Sequence, residues 1–389
     1  MYMLSRRISS VRGSATISLS NRASLMERQG KRVLNFGVGG EPDFTTPEGI
    51  IEGAFQWARK GGKTHYTPSA GIFELREAIA QDYVERGGFD VKPENILVTP
   101  TKFAINLAVF STMDPGDEIL IPEPYYLSYY DIAAINGIKP VPVRTGEDFS
   151  FDFDLMQEYV GPRTRGVIIS NPSNPTGRVY GRDEIKGGLV DFCEDNGMLL
   201  LSDEIYRSLV YEGQPASPPL SFTGLDRAIV MDGFSKSYAM TGWRIGYLVA
   251  DRQVIEGGAN RLQQQTITCA PPSVAQYAAL EALKDKQSPV EMRERFRKRR
   301  DLVLRELGKS SRLKIVKPQG AFYVFPEFSD ARSSEKFCED LLEEKGVIVT
   351  PGSAFGEQGG EKHFRLSFAT SESVIEEGCR MIVDFLEGS

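Results

Sequence analysis

Residues 234–244 read FSKSYAMTGWR and set Lys236 and Arg244 eight residues apart, just after an apolar run at residues 228–231. Ser235 and other small or hydroxyl residues surround the lysine, a setting in which a primary amine can lose its proton and attack a carbonyl. An arginine offers a fork of N–H donors that suits a phosphate. The stretch therefore favours a ligand that carries both an aldehyde and a phosphate.

Short β-rich runs alternate with helical patterns around this stretch, from about residue 93 to residue 249. Alternation of this kind predicts an α/β fold with a mostly parallel sheet covered by helices. The β-rich runs lie at residues 96–98, 118–121, 141–143, 166–169, 198–201, 229–231 and 245–249. Residues 125–135 and 183–195 have helical spacing, and Asn136-Gly137 is a stop signal for the first of these two helices.

The alternation of β-rich runs and helical patterns ends near Pro271-Pro272, which indicates a second structural unit. The charged stretch at residues 290–307 predicts a long helix that links two domains. Beyond it, β-rich runs at 320–325 and 364–368 and helical patterns at 334–344 and 373–386 predict a smaller α+β unit. We therefore divide the chain into an N-terminal segment that packs with the small domain, a large cofactor-binding domain and a small C-terminal domain, at residues 1–40, 41–285 and 286–389.

The composition excludes several classes of function. With 46 Lys and Arg against 53 Asp and Glu in 389 residues, the net charge of -7 argues against a nucleic-acid partner. No segment is long and apolar enough for a membrane span or a signal peptide, so we expect a cytoplasmic protein with no membrane partner. The four cysteines form no CxxC pair and there are only two histidines, so we expect neither a disulfide framework nor a metal site.

Three polar clusters follow predicted strands, at residues 171–177, 202–206 and 235–236. Ligands bind at the carboxyl ends of the strands in open α/β sheets, so we expect these clusters to form one site. Asp203 comes just after an apolar run, and its partly buried carboxylate needs a cationic partner. Tyr206 and Asn174 stand in the same clusters and are expected at the same ligand. The alternatives are a helix cap for Asp203 and a core aromatic for Tyr206.

Residues 234–244 resemble the lysine signature of the pyridoxal 5'-phosphate-dependent aminotransferases of fold type I, class I, and further motifs extend the resemblance over nearly the whole chain. The chain most resembles the bacterial and archaeal aspartate aminotransferases of that class. The resemblance implies a large domain with a mostly parallel seven-stranded sheet and a smaller α+β domain. It implies pyridoxal phosphate as the cofactor, with Lys236 as its covalent anchor and as the general acid and base, and Asp203 and Tyr206 as catalytic partners. It further implies that Asp203 pairs with the protonated pyridine nitrogen, that Tyr206 and Asn174 reach the 3-oxygen of the ring, that Arg244 binds the phosphate and that Ser235 also contacts the cofactor.

Other cofactor contacts are implied by the same resemblance. The phosphate loop that is usually glycine-rich reads TPTKFA at residues 99–104, so the backbone amides must come from Thr101 and Lys102, in front of a helix that begins near residue 103. Tyr126 matches the ring that stacks on the pyridine, with Tyr125 as the competing candidate. Tyr66 matches a tyrosine that one subunit lends to the cofactor phosphate of the other, which implies a homodimer with shared active sites.

The substrate positions follow in the same way. Arg365 stands in a half-apolar strand and matches the arginine that grips the substrate α-carboxylate; an edge-strand arginine that faces water is the alternative. Gly40, in the motif at residues 37–44, brings its backbone close to that carboxylate, and Tyr126 and Asn174 are also expected at the substrate. Lys102 falls where aspartate-specific members carry a lysine for the distal carboxylate, although a solvated side chain remains the alternative.

The resemblance implies transfer of an amino group between an amino acid and a 2-oxo acid, with aspartate and 2-oxoglutarate favoured. An aromatic aminotransferase stays open because Tyr125, Tyr126 and Tyr129 can line an aromatic pocket, and alanine is a further candidate donor. A pyridoxal-phosphate-dependent lyase would share Lys236 and Asp203, and product analysis separates it. A transcriptional regulator of the same fold would need an N-terminal DNA-binding module, of which the sequence shows no pattern.

Overall fold

The structure is a computed structural model that describes residues 8, 11, 13, 15–37, 43–87, 89–212, 216 and 218–388. The strands in these ranges are β1 Leu34–Asn35, β2 Ile96–Thr99, β3 Glu118–Glu123, β4 Lys139–Arg144, β5 Thr164–Ser170, β6 Leu199–Asp203, β7 Ala228–Gly233, β8 Gly246–Val249, β9 Leu313–Lys314, β10 Tyr323–Val324, β11 Glu327–Phe328, β12 Val347–Ile348, β13 Thr350–Pro351 and β14 Phe364–Ser367. Among the described residues, no helix is long and apolar enough to cross a membrane.

The α-helices of the same ranges are α1 Ala15–Arg28, α2 Glu48–Ala58, α3 Phe73–Gly87, α4 Thr101–Thr112, α5 Ser128–Ile135, α6 Phe153–Glu158, α7 Asp191–Asp195, α8 Asn260–Thr266, α9 Ser273–Lys284, α10 Ser288–Leu307, α11 Ser334–Lys345, α12 Glu357–Gly360 and α13 Glu372–Glu387. Two π-helical segments, Glu184–Val190 and Gln253–Ala259, lead directly into α7 and α8.

The central sheet has seven strands in the order β2-β8-β7-β6-β5-β3-β4. Strand β8 runs antiparallel to both of its neighbours, and every other pair in the sheet is parallel. All seven β-rich runs of the sequence form strands of this sheet, so the prediction of a mostly parallel α/β sheet is confirmed. The long connections between parallel strands carry the helices that cover the sheet.

The apolar runs are continuous because the central strands are buried on both faces. Leu200 packs in the cluster that contains Leu189 and Phe192 on one side of the sheet. The next residue, Leu201, packs in the cluster formed with α4 and α5 on the other side. Neighbouring side chains of a strand point to opposite faces, so each strand supplies both clusters and cannot show the polar alternation of a half-exposed strand.

The predicted helix at residues 183–195 is correct in position but differs in form. Its first part, Glu184–Val190, is π-helical, and only Asp191–Asp195 is α-helical. Gly188 lies against the ring of Phe153, where a Cβ would come within 2.6 Å of Cζ, so a glycine is required for this packing. The helix predicted from residue 125 begins later, at Ser128, and ends at Ile135, with Gly137 at φ +78° as the expected stop.

The carboxyl-terminal part of the chain contains a three-stranded antiparallel sheet, β10-β14-β13, packed with α11 and α13. The charged stretch forms the 20-residue helix α10, as predicted. Strand β1 pairs in parallel with β12, and Ala23 of α1 packs against Leu342 and Ile348. The described part of the N-terminal segment therefore contacts the carboxyl-terminal part of the chain, and the division into residues 1–40, 41–285 and 286–389 stays a prediction.

Candidate active site

The carboxyl ends of β5, β6 and β7 bring the three polar clusters together. Ser170 is the register partner of Asp203, and Asp203 is in turn the partner of Met231, so the three strands end side by side. The amide of Asn171 donates to the Asp203 carbonyl at 3.0 Å, and the amide of Glu204 donates to the Met231 carbonyl at 2.8 Å. Because parallel strands end at the same edge, the polar residues that follow them share one side of the sheet.

Asp203 is a buried carboxylate at the end of β6, with 4% of its surface exposed. The Tyr129 hydroxyl donates to Oδ2 at 2.9 Å and the Ile205 amide donates to Oδ1 at 3.2 Å, so the side chain does cap the following turn. Burial raises the pKa of Asp203 to about 6, although the Tyr129 hydrogen bond and the Lys236 charge oppose this rise. No salt bridge reaches Asp203 from the described residues, and such a carboxylate fits a cationic ring nitrogen.

Tyr129 has a role that was not predicted from the sequence. The aromatic alternative placed it in the wall of a pocket with Tyr125 and Tyr126, but it is 3% exposed and its hydroxyl donates to Asp203. The partner lies 74 residues further along the chain, so nothing local in the sequence signals this contact. Helix α5 carries Tyr129, whose ring meets Tyr126 edge to face at 5.4 Å between centroids. Tyr125 is buried, whereas Tyr126 is partly exposed, so Tyr126 is the ring more open to a ligand.

Lys236 lies in the turn after β7, beside the buried Ser235. Its Nζ is 5.8 Å from the centroid of the Phe322 ring, and its charge lowers the pKa of Asp203. Phe322 also meets Tyr206 edge to face at 5.4 Å. Tyr206 is buried, which agrees with the alternative that it is a core aromatic residue. Its hydroxyl nevertheless has a polar neighbour, the Tyr323 hydroxyl at 2.8 Å.

Two residues within the stretch at 234–244 have left-handed backbone conformations. Ala239 has φ +52° and Arg244 has φ +55°, values that are uncommon for residues other than glycine and are found at functional sites. The Thr46 hydroxyl donates to the Ala239 carbonyl at 2.8 Å and helps to hold this turn. Arg244 is exposed, and its NH1 donates to the Thr241 carbonyl at 2.8 Å, which leaves other guanidinium donors at the surface.

Helix α4 begins at Thr101, two residues before the predicted start. The amides of Phe103 and Ala104 already bond to the Pro100 carbonyl, while those of Thr101 and Lys102 stand first in the helix and have no carbonyl one turn earlier. Gly233 of β7 faces this end, and a Cβ there would lie 2.6 Å from Thr101 Oγ1. Gly233 therefore lets the start of α4 pack closely against β7, although the loop itself has no glycine. The free amides at the start of the helix suit an anion.

Arg365 of β14 is 1% exposed, so the alternative of a water-facing arginine is wrong. Its NH1 donates to Asn174 Oδ1 at 3.0 Å and its NH2 donates to the Gly37 carbonyl at 3.0 Å. The guanidinium carbon lies 4.5 Å from the Tyr323 ring centroid and 4.8 Å from that of Phe355. Its buried Nε has no hydrogen-bond partner among the described residues, and a carboxylate ligand would satisfy it.

Within the part of the chain that the structure describes, no hydrogen bond joins Tyr66 or Lys102 to this cluster. Gly40 lies outside the described residues, and Gly37 of the same motif accepts a hydrogen bond from Arg365. Tyr66 is 88% exposed, which suits a residue that acts on another subunit and gives it no role as a core residue. The side chain of Lys102 is exposed, with Nζ 5.6 Å from the Tyr126 ring centroid. Its ammonium is therefore on the side of the cluster where Tyr126 lies.

The residues present fit pyridoxal phosphate. A buried acid without a salt bridge suits the pyridine nitrogen, a lysine lies at the adjoining strand end, and the start of α4 offers amides to a phosphate. Arg365 Nε, for which no described residue supplies a hydrogen-bond partner, suits a substrate carboxylate.

Comparison with known proteins agrees with this chemistry. A family model described as "Aminotransferase class I and II" matches residues 31–382. The chain is 39% identical to a probable aspartate/prephenate aminotransferase of Aquifex aeolicus, over 99% of this chain and 98% of that protein. It is 41% identical to aromatic-amino-acid aminotransferase 2 of Thermococcus litoralis, over 89% of each chain. The solved structure of the Thermotoga maritima aspartate aminotransferase superposes with a TM-score of 0.92 at 38% identity, covering 99% of this chain and 100% of that one.

Proposed function

Because the chain belongs to the class I and II aminotransferases, we propose that it transfers the amino group of aspartate to a 2-oxo acid, with 2-oxoglutarate as the acceptor. The chain is a pyridoxal-phosphate-dependent aminotransferase, and its substrates are amino acids and 2-oxo acids. The observation that carries the aspartate assignment is Lys102, whose ammonium lies 5.6 Å from the Tyr126 ring centroid. A cation there suits the second carboxylate of aspartate, and relatives named for aspartate support the same choice.

The proposed binding roles follow from the geometry of each side chain. When bound, the cofactor supplies an electron sink for the charge that forms when the substrate Cα loses its proton. Asp203, held by the Tyr129 hydroxyl, keeps a proton on the pyridine nitrogen. Tyr126 stacks on the ring, and Tyr206 and Asn174 donate to its 3-oxygen. The phosphate is held by the amides of Thr101 and Lys102, by Ser235 and Arg244, and by Tyr66 of the partner subunit.

The proposed substrate roles place Arg365 and Lys236 on the reacting molecule. Arg365 grips the α-carboxylate through Nε, which has no hydrogen-bond partner among the described residues, and Asn174 holds the guanidinium at NH1. The backbone of Gly40 closes on the same carboxylate. Lys236 Nζ takes the proton from the substrate Cα and returns one at the neighbouring cofactor carbon, so a single base serves both transfers. Phe322 is a neighbour of this amine, with its ring centroid 5.8 Å from Nζ.

The assembly that we propose is a homodimer in the cytoplasm. Tyr66 is the basis for the dimer, since 88% of its surface is exposed in the single chain although a tyrosine ring has a large apolar area. A second subunit would cover this ring and bring Tyr66 to its phosphate site.

An aromatic amino acid is the alternative donor. Tyr126 lies beside Lys102 and is partly exposed, so its ring can contact a substrate ring, whereas Tyr125 and Tyr129 are buried. The Thermococcus litoralis relative is named for aromatic amino acids. Alanine aminotransferase and lyase activity remain further outcomes of the same test.

Absorbance of the pyridoxal-phosphate-loaded protein tests the proposal. Aspartate added without an oxo acid should remove the band of the lysine-bound cofactor and produce that of pyridoxamine phosphate, while phenylalanine and alanine should act more weakly. A response to phenylalanine or alanine alone would transfer the assignment to that donor. Release of ammonia with regeneration of the original band would indicate a lyase. The Lys236→Ala variant is the control and should show no lysine-bound band.

A further inference from the structure

The hydroxyl groups of Tyr206 and Tyr323 lie 2.8 Å apart inside the core. Tyr206 follows β6 and belongs to the cofactor side of the site, whereas Tyr323 begins β10, which pairs with the strand that carries Arg365. Their exposed fractions are only 4% and 0%, so water does not separate the two groups. One phenol must donate to the other, and either direction is possible in the protein alone.

Tyr323 also faces the arginine of the proposed carboxylate site. The Arg365 guanidinium lies over its ring, 4.5 Å from the centroid, in a cation–π contact. Burial raises the pKa of both tyrosines, and the Arg365 charge lowers the pKa of each. The Asp203 charge raises the pKa of both hydroxyl groups, and Tyr126 raises that of Tyr323. A change of charge at Arg365 therefore changes the acidity of both hydroxyls in the hydrogen-bonded pair.

The same pair is close to Lys236. Phe322 is a neighbour of all three side chains: its ring centroid lies 5.4 Å from that of Tyr206, 4.8 Å from that of Tyr323 and 5.8 Å from Lys236 Nζ. The tyrosine pair therefore shares one buried neighbour with Lys236, while Tyr323 contacts Arg365.

We propose that Tyr323 is a positioning residue that couples the charge on Arg365 to the proton held by the Lys236–cofactor linkage, by donating its hydroxyl hydrogen to Tyr206. The proposal rests on the proposed function, in which Tyr206 donates to the cofactor 3-oxygen and Arg365 binds the α-carboxylate. A phenol has one hydrogen to donate, so a Tyr206 that bonds to the 3-oxygen can pair with Tyr323 only as an acceptor.

The direction of the coupling follows from hydrogen-bond polarisation. Tyr206 is a stronger donor while it accepts from Tyr323, and a stronger donor withdraws more negative charge from the 3-oxygen. The linkage then holds its proton less tightly. A carboxylate on Arg365 neutralises the cation over the Tyr323 ring and makes Tyr323 a weaker donor. Tyr206 then donates less strongly, and the 3-oxygen keeps more negative charge. Substrate binding therefore raises the proton affinity of the linkage, in part through Tyr323.

The test is a pH titration of the absorbance band in the pyridoxal-phosphate-loaded wild type and in Tyr323→Phe, with and without succinate or 3-phenylpropionate. Both probes carry a carboxylate but no amino or oxo group, so they bind without reaction. We expect the midpoint of the unliganded variant to lie about 0.5 to 1 pH unit above that of the wild type, the size of one neutral hydrogen bond. We expect the upward shift caused by the bound carboxylate to fall to half or less of the wild-type shift.

Tyr211→Phe is the matched control, because Tyr211 donates its buried hydroxyl to the Ala321 carbonyl in the same segment but lies outside the proposed site. It should keep the wild-type midpoint and shift; a change equal to that of Tyr323→Phe would mean a structural effect and overturn the coupling. Identical titrations of Tyr323→Phe and the wild type would also overturn it, while leaving the aminotransferase assignment intact. A wild type that forms no lysine-linked band would overturn both.

Tyr206→Phe removes the same contact from its other side and serves if Tyr323→Phe does not fold. It should also reduce the shift caused by the carboxylate, and a full wild-type shift would contradict the proposal. Where both variants fold, the double variant should lose no more of the shift than Tyr206→Phe alone, since the two hydroxyls act in series. Independent, additive losses would show that Tyr323 acts by another route.

Discussion

The carboxylate of Asp203 is buried, and burial disfavours its charged form. The stability of the cofactor-free protein should therefore depend on pH. Burial raises its pKa from 3.8 to about 6, so between these values the folded protein binds more protons than the unfolded chain. The free energy of unfolding therefore falls as the pH rises through this window. We expect Asp203→Asn to stabilise the cofactor-free protein at pH 8 by roughly 3 kcal/mol and by progressively less as the pH falls toward 4.

Urea unfolding of the cofactor-free protein at pH 5 and pH 8 measures this difference. Asp226→Asn, at an exposed carboxylate, is the control and should leave stability nearly unchanged at both pH values. A gain for Asp203→Asn that does not depend on pH would show that the carboxylate charge is not its source. The same variant should bind pyridoxal phosphate more weakly, because a neutral amide is a poorer partner for the pyridine nitrogen.

The side chain of Lys102 should determine whether the enzyme prefers an acidic or an aromatic amino donor. If its ammonium binds the distal carboxylate, Lys102→Met should lower kcat/KM for aspartate by roughly 10- to 100-fold, the usual size of a charge-assisted hydrogen bond. The value for phenylalanine should stay the same or rise. Lys102→Arg keeps the charge and should lose less. Equal losses for both donors in Lys102→Met would mean that only the helix start, not the ammonium, matters.

At the scale of elements, the end of β3 is joined to the segment around α12. Glu123 is 3% exposed, and its Oε1 accepts from the Gly359 amide at 2.6 Å. Two residues on, the Tyr125 amide donates to the Phe355 carbonyl at 2.9 Å. Phe355 packs on the Arg365 guanidinium, so this junction connects the strand that leads to Tyr126 with the wall of the carboxylate site.

Gly356 makes this junction possible, and its substitution tests the contact. It has φ +141°, and a Cβ there would overlap the side chain of Glu123. We expect Gly356→Ala and Glu123→Ala each to lower the free energy of unfolding by about 2 kcal/mol, through strain in the first case and an unpaired buried amide in the second. Both should raise KM, because Phe355 no longer holds Arg365 in place.

Thermal or urea unfolding, together with KM for both substrates, measures these effects. Glu123→Gln retains an acceptor for the Gly359 amide and should be milder than Glu123→Ala. Gly181→Ala is the matched glycine control, since a Cβ at Gly181 would meet nothing within 4 Å. Wild-type KM values in a destabilised Glu123→Ala protein would show that the junction supports the fold but not the carboxylate site.

At the scale of the whole molecule, the proposed exchange of Tyr66 between subunits predicts complementation. Lys236→Ala and Tyr66→Ala should each be nearly inactive as pure dimers at low pyridoxal phosphate. A hybrid dimer contains one site with both changes and one site with neither. Equal mixing with subunit exchange should therefore restore about a quarter of the wild-type activity, if hybrids form half of the dimers.

Activity measured after refolding the two variants together, with light scattering to establish the dimer, tests this expectation. Variants refolded separately and then mixed without exchange are the control and should remain inactive. Failure to regain activity in verified hybrid dimers would mean that Tyr66 acts on its own subunit or not at all on the phosphate.

Much of the fold was predictable because it depends on local pattern. The seven apolar runs could only be buried strands of a covered sheet, and their carboxyl ends placed Asn174, Asp203 and Lys236 on one edge. The charged stretch at residues 290–307 likewise predicted α10. These features follow from hydrophobic periodicity, helix stop signals and the position of polar residues after strands, all of which are properties of neighbouring residues.

Contacts between distant parts of the chain were decided only by the tertiary structure. The sequence determined that Asp203 follows a strand, but only packing brought the Tyr129 hydroxyl to its carboxylate, and only pairing of β10 with β14 set Tyr323 between Tyr206 and Arg365. For Arg365, the sequence did not exclude the alternative of a water-facing side chain, and the fold excludes it by burying the residue. The physical reason is that local propensity fixes which face a residue takes, while its partner across 74 or more residues depends on how whole elements pack.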